Sequence, residues 1–117
     1  MAIMPASSEL DVVRGTLDLM ILRALSWGPM HGLATLRWIE QRTRGELQIE
    51  DGALYPALHR LEQRSWLESE WGYTDAGRRA RFYRLTPAGR RHLTAELSRW
   101  ERYTIAVSRV LAPEPAR

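Results

Sequence analysis

The sequence holds no cysteine and no lysine. The first absence excludes a disulfide framework, thiol catalysis and any cysteine-based zinc site. The second leaves arginine as the only permanent cation, at all 17 basic positions. A G+C-rich genome favours arginine codons and explains this bias without invoking function. The chemical consequence holds regardless, because each cation is a planar fork matched to phosphate, carboxylate or guanine edges. No apolar run nears the ~20 residues that span a bilayer, and Met1 to Ser8 lack the basic-then-apolar layout of a signal peptide. A cytoplasmic protein with no membrane partner is expected. His31, His59 and His92 have no metal-ligand spacing, and no glycine-rich phosphate loop follows a strand. The sequence therefore points away from an enzyme, with no catalytic residue, metal or cofactor expected.

What is present is unevenly spread. At 117 residues, 44% hydrophobic and 26% charged, the chain has the length and make-up of one globular domain. The stretch "WGYTDAGRRARFYRLTPAGRR" (71–91) holds six arginines against one acid, Asp75. The rest carries 11 arginines and 13 acids, a net −2, so this segment alone makes the chain basic.

The hydrophobic pattern places that charge. "GTLDLMILRALSWGP" (15–29) puts Leu17, Met20, Ile21, Ala24 and Leu25 at helical spacing, and Gly28-Pro29 ends the run. "HGLATLRWIEQRTRG" (31–45) predicts a second helix with Leu33, Leu36 and Ile39 inward and Gly45 as its stop. "EDGALYPALHRLEQRSW" (50–66) predicts a third, with Leu54, Leu58 and Leu61 inward and Glu50 and Asp51 at the positive end of its dipole. Pro56 is tolerated if that helix starts near Gly52. The period then drops to two: "WLESEW" (66–71) and "RFYRLT" (81–86) flank "GYTDAGRRA", a β-hairpin with a long glycine-containing loop. Thr86-Pro87 is a helix start. From there Leu93, Leu97, Trp100, Thr104, Val107 and Leu111 recur at alternating steps of four and three along 87–111. Such a helix runs roughly 36 Å at ~1.5 Å per residue, longer than the remainder can cover, so its stripe is expected to meet a partner's.

The expected fold is mostly α with a small β-hairpin. A flexible segment (1–10) precedes a winged helix-turn-helix (11–86), a C-terminal dimerisation helix (87–111) and a tail (112–117). With the leucines of the third helix inward, His59, Gln63, Pro56 and Arg60 face outward and Tyr55 lies on a flank. Arginine and glutamine make bidentate contacts to base edges, and Tyr55 is the expected phosphate contact. Arg78, Arg79 and Arg81 sit at the tip and rim of the hairpin, where like charges repel and an anionic partner such as DNA relieves them. Trp100, in the seam with Leu93, Leu97, Thr104 and Val107, is read as dimer packing or as the wall of a pocket for a flat ligand. Trp27, Trp38 and Trp66 are read as core or rim packing, and Trp71 as hairpin packing.

In order and spacing, "LDLMILRAL", "GPMHG", "DGALYPALHRLE" and "ARFYRLTPAG" resemble the PadR-like winged-helix transcriptional regulators, over roughly residues 14–92. The single long helix resembles the short subfamily. The resemblance implies a homodimer that binds a pseudo-palindromic operator in double-stranded DNA and represses. It places Tyr55, His59 and Arg60 on the DNA-reading helix, and Arg78, Arg79 and Arg81 on the wing. It also implies that a planar aromatic effector is possible at Trp100. A second reading is a protein-interaction module whose wing docks an acidic partner.

Overall fold

A computed structural model describes residues 10–11, 15–50 and 52–115. Most of the segment assigned to 1–10, together with Asp51 and the last two residues, lies outside them. At the centre is α1 (Thr16–Leu25), apolar on most of its circumference: Leu17, Ile21, Leu22, Ala24 and Leu25 are buried. It stops short of Gly28-Pro29, at Ser26.

Three short strands escape the period-based reading. β1 (Leu10–Asp11) pairs in parallel with β3 (Leu47–Gln48), so Leu10, expected in the flexible segment, is held opposite Leu47. β2 (Met30–His31) joins the hairpin as a third strand.

His31 also caps α2 (Gly32–Arg42), its Nδ1 accepting the Ala34 N–H at 3.3 Å. The buried face of α2 runs through Gly32, Thr35 and Ile39. Leu33 was expected inward and is instead 43% exposed. The inward position belongs to Gly32, where a Cβ would meet the Tyr55 ring at 2.9 Å. That close approach turns Leu33, the next residue, towards solvent. Beyond α2, Arg44 (φ 53°) and Gly45 (φ 74°) turn left-handed, and the Gly45 N–H returns to the Glu40 carbonyl at 2.9 Å.

After that turn comes α3 (Leu54–Gln63), which buries Leu54, Ala57, Leu58 and Leu61. Pro56 lies in its first turn, where its missing N–H loses no helical partner. The helix ends before Trp66 because Ser65 adopts φ 62°, and the Trp66 N–H closes on the Leu61 carbonyl.

The hairpin is longer than its two alternating runs suggest. β4 (Leu67–Tyr73) and β5 (Arg79–Leu85) are antiparallel, with Leu67 opposite Leu85 and Tyr73 opposite Arg79. The connecting loop is correspondingly short: the Thr74 N–H bonds the Arg78 carbonyl, and Gly77 takes φ 79°. With β2 the sheet order is β2-β5-β4.

Finally α4 (Pro87–Leu111) begins where Thr86-Pro87 predicts. The Thr86 Oγ1 accepts the Gly89 N–H at 2.9 Å and donates to the Ser65 carbonyl at 2.6 Å, which ties the start of α4 to the end of α3. The core formed by Ile21, Leu22, Leu25, Ile39, Leu58, Leu61, Leu67 and Tyr83 reaches α4 at Leu93 and, on its edge, Leu97. Among the described residues, no helix is long and apolar enough to cross a membrane.

Candidate nucleic-acid interface

The leucines of α3 fill the core, so its opposite side is left to solvent. Tyr55, His59, Arg60 and Gln63 are all exposed there. Tyr55, 58% exposed, rests its ring on Gly32 at the start of α2, which fixes where the phenol can point. Arg60 differs from the others, because its Nη2 donates to the Asp18 carboxylate of α1 at 2.9 Å. Contact with an anion or a base edge would trade that carboxylate for the new partner, so Arg60 gains less than an unpaired arginine would.

The hairpin is fastened to α3 through its side chains. Ser69 Oγ donates to Glu62 of α3 at 2.5 Å and accepts from Arg81 Nε at 2.7 Å, while Arg81 Nη2 lies 3.5 Å from the same Glu62. Arg81, expected free at the rim, is therefore a brace between wing and helix. Arg84 pairs across the strands with Glu68 at 3.1 Å. Among the described residues, Arg78, Arg79, Arg90 and Arg91 have no carboxylate within 4.0 Å. Arg78 and Arg79 are exposed beside the loop, on the hairpin that Arg81 locks to α3. Neither Asp18 nor Glu62 was marked as functional by sequence, since Asp18 lies 42 residues from Arg60 and Glu62 meets Arg81 only where α3 packs on the hairpin.

Burial raises the Tyr83 phenol above its ordinary 10.0; Arg81 opposes the rise, and Glu62 and Tyr55 add to it. Tyr83 therefore stays neutral beneath the brace.

Two expectations about tryptophan fail. Trp71 does not pack under the hairpin: it is 57% exposed, with the Arg79 and Arg81 guanidinium carbons 4.5 and 5.7 Å from its ring centre. Trp27 is likewise exposed, below Arg23. Trp66 does pack, stacked on His92 at 3.5 Å, and Trp38 lies half-buried beside the core.

The seam residues of α4 divide. Leu93 is consumed by the chain's own core and Leu97 packs at its margin. Trp100 is open and, with Leu19, Arg99 and Tyr103, lines a cleft of about 420 Å³ between α4 and the start of α1. Thr104 and Val107 lie outside that cleft, further along the helix. Beyond them Val110 and Leu111 stand exposed.

A helix-turn-helix with an exposed polar face, braced to an arginine-tipped hairpin, is the winged-helix arrangement of transcription regulators. The profile of the transcriptional regulator PadR-like family matches residues 21–95, and the chain belongs to that family. It is 40% identical over 84 residues to the transcriptional regulator Rv3488 of Mycobacterium tuberculosis, covering 71% of this chain and 74% of the relative. Its fold is similar to that of a PadR family transcriptional regulator from Eggerthella lenta (TM-score 0.73, 30% identity, 86% of each chain). A transcriptional regulator from Clostridium thermocellum superposes with TM-score 0.74 at 28% identity, over 82% of this chain and 93% of that one.

Proposed function

We propose that the protein is a cytoplasmic, homodimeric repressor that acts by binding DNA and not by catalysis. In this reading each α3 enters the major groove of one half of a pseudo-palindromic operator, and each wing grips the adjacent backbone or minor groove. The observation that carries it is the placement of Arg78 and Arg79, without carboxylate partners among the described residues, on a hairpin braced by Glu62 and Arg81 to α3. Unpaired, clustered guanidiniums favour a polyanion, and the brace fixes their position relative to the reading helix.

His59 and Gln63 are the residues assigned to reading and Tyr55 to a phosphate contact, with Arg60 contributing only after release from Asp18. The exposed end of α4 supports dimerisation, since Ile105, Val110 and Leu111 would otherwise stay in water. Trp100, at the mouth of the cleft, is assigned to a planar aromatic effector that releases the repressor. The test is selection from fragmented host DNA by the purified protein at ~0.15 M salt with excess competitor, where non-specific binding is weak. Fragments sharing an inverted repeat support the reading. Recovery of nothing, or of random fragments, opposes it and favours an acidic protein partner.

A further inference from the structure

Successive residues of a strand point to opposite faces, so Leu67, Ser69, Trp71 and Tyr73 share one face of β4. The buried Leu67 and the Ser69–Glu62 bond identify that face as the one turned towards α3. Trp71 and Tyr73 continue it past the end of the core, 57% and 73% exposed. Across from them on β5 stand Arg81 and Arg79, in register with Trp71 and Tyr73. Both guanidiniums lie near the indole, so the aromatic patch is rimmed by cations. A second copy of the same patch would bring like charges together. The surface it fits is anionic and carries flat or apolar elements between its charges.

We propose that Trp71 and Tyr73 are duplex-DNA contacts, a ring platform on the wing that lies against the deoxyribose–phosphate backbone while Arg78 and Arg79 meet the phosphates. The proposal rests on the DNA-binding reading above and adds an apolar component to it. Trp71 acts by covering sugar surface. Its loss therefore weakens binding at every salt concentration, whereas loss of an arginine mainly lowers the salt dependence.

The experiment titrates a short random-sequence duplex, and the matching single strand, with wild-type protein and with Trp71→Ala, Trp71→Phe and Arg78→Ala across a salt series. Covering ~60 Å² of ring corresponds to about a tenfold change in affinity, which is the loss expected for Trp71→Ala at each salt concentration. Its slope should stay close to wild type, and Trp71→Phe should recover most of the loss. Arg78→Ala should instead lower the slope. Because Trp71 is exposed, unchanged circular dichroism and melting are expected of both Trp71 variants and show that each is folded. Equal duplex affinity of Trp71→Ala and wild type, with wild type binding well, overturns this proposal and leaves the DNA-binding reading intact. Tighter binding of wild type to the single strand than to the duplex also overturns it, since the rings would then be stacking on bases. A wild type that binds neither overturns both readings.

Discussion

At the residue scale, the charge cluster of 71–91 separates into different jobs once partners are known. Arg81 and Arg84 are paired, while Arg78 and Arg79 are not, among the described residues. The sequence shows six arginines and cannot show this division, because Glu62 reaches Arg81 only through the packing of α3 on the hairpin. Tyr83 marks that contact. Its phenol is raised above 10.0 by burial, so the folded state keeps a proton that the unfolded chain loses. The stability this contributes is complete below the unfolded value and is lost as pH rises through the folded one. Resistance of the wild type to urea should therefore fall above about pH 10, and the decline should be shallower in Tyr83→Phe. Gly89 gives a steric prediction. A Cβ there would sit 2.1 Å from the Trp66 carbonyl oxygen, against backbone that cannot rotate away. Gly89→Ala should cost at least ~1–3 kcal/mol by the same denaturation measurement, even though alanine is the better helix former.

At the element scale, the four helices and the two long strands were legible because each repeats its apolar residues often enough to show a period. β1, β2 and β3 were not, since two residues have no period and their pairing is decided by distant chain. Leu33 was misplaced for a related reason. The inward face of α2 is set by a glycine under Tyr55 and by a buried threonine, neither of which carries an apolar signal. Trp71 and Tyr73 keep the parity of the buried Leu67, and alternation alone does not say where the core ends along β4. The boundaries of α4 were readable from Thr86-Pro87, but its seam serves two purposes. Leu93 belongs to the chain's own core, whereas the end beyond Trp100 stands exposed. Two variants separate these roles. Leu93→Ala should destabilise the fold by ~2–5 kcal/mol, measured by thermal or urea unfolding. Val107→Glu should leave the winged helix folded by circular dichroism and shift sedimentation from dimer to monomer; a dimer unaffected by Val107→Glu would remove that part of α4 from the interface.

At the scale of the whole molecule, the winged helix and α4 are joined where Thr86 bonds the Ser65 carbonyl and His92 stacks on Trp66. A dimer formed through α4 would thus fix two wings and two reading helices relative to each other. The proposal that the protein grips an operator in this way ties the wing and the dimer into one number. On that proposal each Arg78 would contact one phosphate, so a single substitution would remove two contacts per dimer. The measurement is the salt dependence of affinity for an inverted-repeat duplex recovered from genomic selection, wild type against Arg78→Ala. On this proposal the slope of log affinity against log salt falls by about two for the variant, near −0.9 per phosphate released. An unchanged slope in a folded, dimeric Arg78→Ala would contradict it.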